Sequence, residues 1–162
     1  MSSYQFIASD KPLPEVKNPY EEYLSINDMI KRKIKVDKNL LKGNAVNRNE
    51  KIVLYYPTEE STNELVLYKD QGYAHYAKEY STKRFFTAIQ WQYTEKRAEQ
   101  LLGYLKEQLK NNDELEVWDI WLDDHEEAVV RTVKANQLSI ADLAFLLWDQ
   151  GFENPECLII KK

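Results

Sequence analysis

The clearest pattern in the chain is a helical repeat of apolar positions in its second half. Within 95–111, apolar residues recur at spacings of one, three and four and form one stripe: Ala98, Leu101, Leu102, Leu105 and Leu109. Thr94 precedes this stripe as an N-cap, because a hydroxyl there accepts a hydrogen bond from the first helical turn. The same reasoning predicts a second helix over 140–150, with Ser139 as its N-cap.

Short runs of aromatic and β-branched residues predict strands around these helices. In the second half the predicted strands are 85–93, 114–122, 128–134 and 157–161. The segment 114–122 is apolar on both faces, which indicates a central strand, and 128–134 is expected to pair back on it.

Residues 85–161 therefore read strand, helix, strand, strand, helix, strand. This βαββαβ order is that of a ferredoxin-like, or split βαβ, unit. We expect a four-stranded antiparallel sheet with both helices on one face. The predicted fold class is α+β, with a ferredoxin-like part over 85–162.

The first half, 1–84, predicts a βαββ extension of this sheet within a single domain of 1–162. Its predicted elements are strand 4–9, helix 25–33, strand 52–56 and strand 64–68. Ser25 is the expected N-cap, with Asp28 three residues later. Residues 57–63 are expected to form a hairpin loop, and 69–84 the longest loop of the chain.

Composition narrows the classes of function. The chain has 22 Lys and Arg against 27 Asp and Glu, a net charge of -5, which argues against a general nucleic-acid footprint. It has one Cys and four Gly, so neither a disulfide framework nor a Gly-rich phosphate loop is expected. No secretory signal and no 18-residue apolar span occurs, so we expect no membrane association and a cytoplasmic location.

Asp119 is the sharpest candidate for chemistry. Strand alternation places it on the apolar face of Leu115, Val117 and Trp121. A carboxylate there must be paired, hydrogen-bonded or protonated, and in a pocket its pKa would rise towards that of a general acid or base. The alternative is a half-buried face on which Asp119 reaches solvent or meets Arg131 across a hairpin.

His75 is the second catalytic candidate, because it lies among tyrosines in the segment GYAHYAKEY. It would act as a base with phenol partners, or it would form a ligand-stacking wall with Tyr73, Tyr76 and Tyr80 as binding residues. The alternative is a loop histidine packed between aromatic rings without a chemical role.

The densest acidic cluster is the segment 123–127, which has four carboxylates and an imidazole. Asp123, Asp124 and His125 are candidate ligands for a divalent cation. Their spacing matches no known cage, and the favoured interpretation is a solvated loop without metal. Cys157 begins an apolar strand and is expected to be a buried hydrophobe and not a nucleophile.

Two functional hypotheses follow. The first is a non-enzymatic protein-interaction or regulatory module without cofactor, whose acidic surface neutralises a basic protein partner. The alternative is a small enzyme or ligand-binding domain that uses His75, Asp119 and the 123–127 loop. Beyond these two hypotheses, the sequence leaves open a structural role without ligand, or homodimerisation through an edge strand.

Overall fold

The computed structural model of the chain is an α+β fold with one six-stranded mixed sheet and one two-stranded sheet. It describes residues 3–42, 47–69, 72–90, 92–122, 126–146 and 154–162. The strands are β1 (Ser3–Ser9), β2 (Glu22–Leu24), β3 (Val53–Tyr55), β4 (Val66–Lys69), β5 (Phe85–Gln90), β6 (Glu114–Trp121), β7 (Val129–Lys134) and β8 (Glu156–Lys161). The helices are α1 (Ile26–Lys31), α2 (Lys38–Lys42), α3 (Ala74–Tyr80) and α4 (Glu95–Gln108), with 3-10 helices at Glu60–Asn63 and Ile140–Leu146.

The chain forms two compact units, one of Met1–Lys17 with Asn63–Lys162 and one of Asn18–Thr62. In the smaller unit, β2 pairs antiparallel with β3. The hydroxyl of Ser25 accepts a hydrogen bond from the backbone of Asp28, and the Asp28 carboxylate accepts one in return. This reciprocal capping box confirms the predicted start of α1.

The six strands of the larger unit are ordered β4-β5-β1-β6-β8-β7. All neighbours are antiparallel except β7 and β8, which are parallel. The first strand of the chain lies at the centre, where Phe6 stands opposite Ala88 on one side and Trp118 on the other. β1 is buried on both faces, and a position with strands on both sides removes most of the surface of its apolar residues from water.

The predicted ferredoxin-like strand order is therefore wrong, although the sequence of elements over 85–161 is correct. β1 separates β5 from β6, and β7 pairs with β8 and not back on β6. The physical reason is β1, which is buried on both faces and therefore lies between β5 and β6. The 3-10 helix Ile140–Leu146 covers the leucine-rich side of the sheet between β7 and β8, and this crossover places β8 parallel to β7.

The two faces of the sheet have different chemistry. One, the leucine face, packs against α4 and the 3-10 helix Ile140–Leu146 through residues such as Leu101, Leu105, Leu143 and Leu158. Both amphipathic segments thus lie on one side of the sheet, as predicted. The other, the aromatic face, carries Tyr4, Phe6, Phe86 and Trp118 and packs against α3.

Two expectations for the first half are wrong. The predicted loop 69–84 contains α3, whose Ala77 is buried on the aromatic face; Tyr73 at the N-cap position makes no side-chain cap bond, so the usual start signal is missing. The hairpin across 57–63 does not form, because β3 pairs with β2 while β4 pairs with β5.

In the second half, α4 and its Thr94 cap are confirmed. The predicted helix 140–150 is a 3-10 helix over Ile140–Leu146, and the rest of its range lies outside the described residues. Among the described helices, none is long and apolar enough to cross a membrane.

Candidate binding site

Asp119 lies on the leucine face, buried between two strands. The side-chain nitrogen of Gln5 on β1 donates a hydrogen bond of 2.8 Å to its Oδ2 atom. Burial, together with the charge of Glu156 on β8, raises the pKa of the Asp119 carboxyl to about 7, although the hydrogen bond from Gln5 lowers it. The expected contact with Arg131 is absent from the described contacts, because Arg131 sits on β7, beyond β8, over the ring of Phe145.

His75 does not share a site with Asp119. It is an exposed residue of α3, which packs on the aromatic face, so the two groups lie on opposite sides of the sheet. The His75 ring contacts Tyr76, with 4.0 Å between the ring centroids. Neither His75 nor Asp119 lines either of the two cavities that the structure describes. An active site that uses both groups is therefore not supported by this geometry.

The three tyrosines near His75 join the aromatic face. Tyr73 lies 5.6 Å from Tyr4, measured between ring centroids, and also contacts Tyr76. Tyr80 lies 5.7 Å from Trp118 on β6. The sequence analysis correctly groups these rings. It predicts them on a loop, whereas they lie on α3 and at its N-cap position.

A cavity of about 500 Å³ opens beside Tyr80 and Trp118. We refer to it as the acidic cavity; its described lining is Glu79, Tyr80, Trp118, Glu126, Glu127, Ala128 and Val130. This lining contains two aromatic rings and three carboxylates, and neither a lysine nor an arginine belongs to it. Such a lining attracts cations, because both carboxylates and aromatic ring faces carry negative potential.

Trp118 is held in place by the strand that carries it. Its indole nitrogen Nε1 donates a hydrogen bond of 2.7 Å to Oε2 of Glu116, two residues earlier on the same face of β6. On its other side the ring stacks on Phe6, with an interplanar angle of 10°. The indole is therefore fixed before any ligand arrives, and Glu116 places a further buried carboxylate behind it.

The acidic cavity borders an edge of the sheet that no further strand covers among the described residues. β7 is the last strand in the sheet order, and Val130 belongs both to it and to the cavity lining. The N–H groups of Val129 and Ala135 donate towards β8, so alternation directs those of Val130 and Thr132 away from it. Val129 and Val130 are each about half exposed. This edge offers backbone hydrogen bonds and apolar side chains to an extended segment.

The predicted metal candidates Asp123, Asp124 and His125 lie outside the described residues. Glu126 and Glu127, from the same acidic segment, line the acidic cavity. Over the residues that the structure describes, no three His, Cys, Asp or Glu side chains gather closely enough to hold a metal ion.

Cys157 is buried, and burial raises the pKa of its thiol well above the usual range. It is therefore a thiol and not a thiolate near neutral pH, which agrees with its predicted role as a small hydrophobe.

Sequence reasoning missed Trp118 and Glu79 as site residues. Trp118 lies in a predicted buried strand, and its alternation with Glu116 and Ile120 separates it from the face of Asp119, which is the signal that could have found it. Glu79 lies in the predicted loop 69–84, and neighbours in a loop cannot be assigned to a common side.

Comparisons with known proteins add no identity: no protein-family model matches the chain, and no curated protein and no solved structure matches it significantly.

Proposed function

We propose that this protein is a non-enzymatic interaction module that binds a basic segment of a protein partner. The observation that carries the proposal is the acidic cavity, in which Tyr80 and Trp118 stand beside Glu79, Glu126 and Glu127. A lysine or arginine side chain of the partner is the natural occupant, since it offers both an apolar stem and a cationic head.

The two kinds of lining group act on different parts of such a side chain. The ring of Tyr80, which is partly buried, can attract a cation over its face and cover its methylene stem, whereas Trp118, 5% exposed and stacked on Phe6, adds only a small exposed area to the lining. Carboxylates at the rim supply charge-assisted hydrogen bonds to its N–H groups. Because Trp118 is already fixed by Glu116 and Phe6, little ordering is needed on binding.

The surroundings of the cavity support a protein partner over a lone cation. The open edge of β7 lies directly beside it, so an extended segment can pair with the backbone while one side chain enters the cavity. The net charge of -5 favours the approach of a basic partner over a long range.

Calorimetric titration with short peptides tests this proposal. The probe is a flexible peptide that contains lysine and arginine, and its matched control has glutamine at each of those positions. We expect the basic peptide to bind, and its dissociation constant to rise roughly tenfold between about 50 and 200 mM salt. The glutamine peptide should not bind measurably.

Variants locate the binding on the molecule. The triple variant Glu79→Gln, Glu126→Gln and Glu127→Gln should weaken binding by roughly tenfold or more. A control of equal charge change, E50Q/E59Q/E60Q, alters three exposed residues of the smaller unit and should retain binding. Equal loss in both variants would show that only net charge matters and would contradict the proposed site.

A further inference from the structure

A second cavity, of about 390 Å³, lies where β4 ends and β5 begins. We call it the cationic cavity. Its walls are apolar and come from Pro12, Leu13, Ala74, Phe85 and Phe86, with the buried Thr87 beside them. Three cationic side chains from three different segments also line it: Lys69, Lys78 and Arg84.

The charges at this cavity are poorly balanced. Glu15 is the only acidic residue in the described lining, and its Oε1 atom accepts a 2.8 Å hydrogen bond from the backbone N–H of Lys69. Three cations and one carboxylate give the described lining a formal charge of +2. In a chain whose net charge is -5, a cavity of this sign is a local exception.

Within the described part of the chain, the three cations make no ion pairs, unlike the neighbouring Lys83. Lys83 bridges Asp10 and Glu114, whereas Lys69, Lys78 and Arg84 form no ion pair with any other residue that the structure describes. Like charges around one cavity repel each other, and an anion between them would turn this repulsion into attraction.

Arg84 is held at the cavity by its surroundings. Its backbone N–H donates a 3.2 Å hydrogen bond to the carbonyl oxygen of Ser9 at the end of β1. The guanidinium carbon lies 5.9 Å from the centroid of the Phe85 ring, a cation–π distance. Arg84 is exposed, and its planar guanidinium suits an oxyanion with several acceptor oxygens.

From this arrangement we infer a binding site for a small organic phosphate monoester with an apolar or aromatic body. A phosphate monoester carries a charge of about −1.5 to −2 at neutral pH, which matches the +2 of the lining. Its body would lie against the apolar walls, and the cavity volume falls within the usual range of small-molecule sites. The inference is independent of the acidic cavity, with which the cationic cavity shares no lining residue.

Titration of the isotope-labelled protein with phenyl phosphate, followed by NMR chemical shifts, tests the inference. Inorganic phosphate is the head-group control, and benzyl alcohol is the control for the body. We expect phenyl phosphate to bind roughly tenfold more tightly than inorganic phosphate, with shifts at Lys78, Arg84 and Thr87. Benzyl alcohol should produce no saturable shift.

Two sets of variants connect this binding to the cavity. Lys78→Gln, an exposed change on α3, should weaken phenyl phosphate binding. The triple variant K69Q/K78Q/R84Q should weaken it further. We expect a loss of roughly tenfold or more in the triple variant. The control K35Q/K51Q/K106Q makes the same charge change at three exposed residues outside the lining and should retain binding.

Four outcomes would overturn the inference. The first is absence of saturation up to about 10 mM phenyl phosphate. The second is unchanged binding in the triple variant, and the third is equal affinity for phenylsuccinate, which would assign the site to dicarboxylates. The fourth is tighter binding of a phosphotyrosine peptide than of phenyl phosphate. That result would show that the ligand is a phosphorylated protein segment and not a small molecule.

Discussion

Gln5 and Asp119 face each other across β1 and β6, and the Gln5 amide donates a hydrogen bond of 2.8 Å to the buried Asp119 carboxylate. The two residues are 114 positions apart, so the contact joins the first strand of the chain to the centre of the sheet. A neutral amide hydrogen-bonds this carboxylate but brings no positive charge to offset its burial.

The Asp119 carboxyl should make stability depend on pH. Its pKa of about 7 in the folded protein exceeds the value of about 3.9 expected in the unfolded chain. Between these values the folded state binds more protons than the unfolded state, so the free energy of unfolding falls as pH rises from about 4 to 7. The side chain of Asp119→Asn does not titrate, so this variant does not lose stability between about pH 4 and 7 in this way. At pH 8 its free energy of unfolding should exceed that of the wild type by up to about 4 kcal/mol.

Urea denaturation at several pH values measures this effect. The advantage of Asp119→Asn should shrink as the pH falls towards 4. Asp113→Asn, at an exposed position before the same strand, serves as the control and should follow the wild type. Parallel pH profiles for the wild type and Asp119→Asn would show that Asp119 titrates normally.

Gly103 should tolerate a larger side chain. It lies inside α4, and a Cβ atom added there would meet no heavy atom within 4 Å. Because glycine costs helix stability through its conformational freedom, Gly103→Ala should raise the free energy of unfolding by about 0.5–1 kcal/mol. Thermal denaturation would detect this as a higher Tm, and a lower Tm would contradict the described environment of α4.

Leu101 should be among the most sensitive positions of the leucine face. It is fully buried between α4 and the sheet. Leu101→Ala should lower the free energy of unfolding by about 2–5 kcal/mol, because it removes buried methyl groups and leaves a cavity. Leu102, the next residue, is only partly buried, and Leu102→Ala should cost clearly less in the same urea titration. Equal losses would contradict the orientation of α4.

The capping box at the start of α1 should contribute to stability through its hydroxyl group. Ser25→Ala removes the acceptor for the Asp28 backbone N–H and should cost about 1 kcal/mol in the free energy of unfolding. Ser25→Thr keeps a hydroxyl and should lose less. The same urea measurement compares the two variants, and an equal loss would indicate a packing effect in place of a cap.

What could be predicted from the sequence depends on how local the signal is. The helix α4 follows from the spacing of its leucines and the Thr94 hydroxyl, which act within a few residues. The buried, central position of 114–122 follows from apolar residues on both faces. The place of β1 between β5 and β6 could not be predicted in this way. The alternation of residues within a strand does not identify a partner strand about a hundred residues away.

The candidate site shows the same limit. The tyrosines near His75 were identified because aromatic residues cluster along the chain there. Their partner Trp118 lies on a distant strand and comes to Tyr80 only through the packing of α3 on the aromatic face. Alternation places Asp119 on the apolar face but leaves its burial open, and its partner Gln5 depends on the register of β1 with β6.

The central claim is that the acidic cavity holds a cationic side chain of a partner. The most direct test is an NMR measurement of nuclear Overhauser effects on the protein mixed with a lysine peptide trimethylated at its ammonium group. We expect contacts from the methyl protons to the rings of Tyr80 and Trp118, which disappear in the variant E79Q/E126Q/E127Q. Methyl contacts to other residues, or none to either ring under conditions in which the peptide binds, would contradict the account.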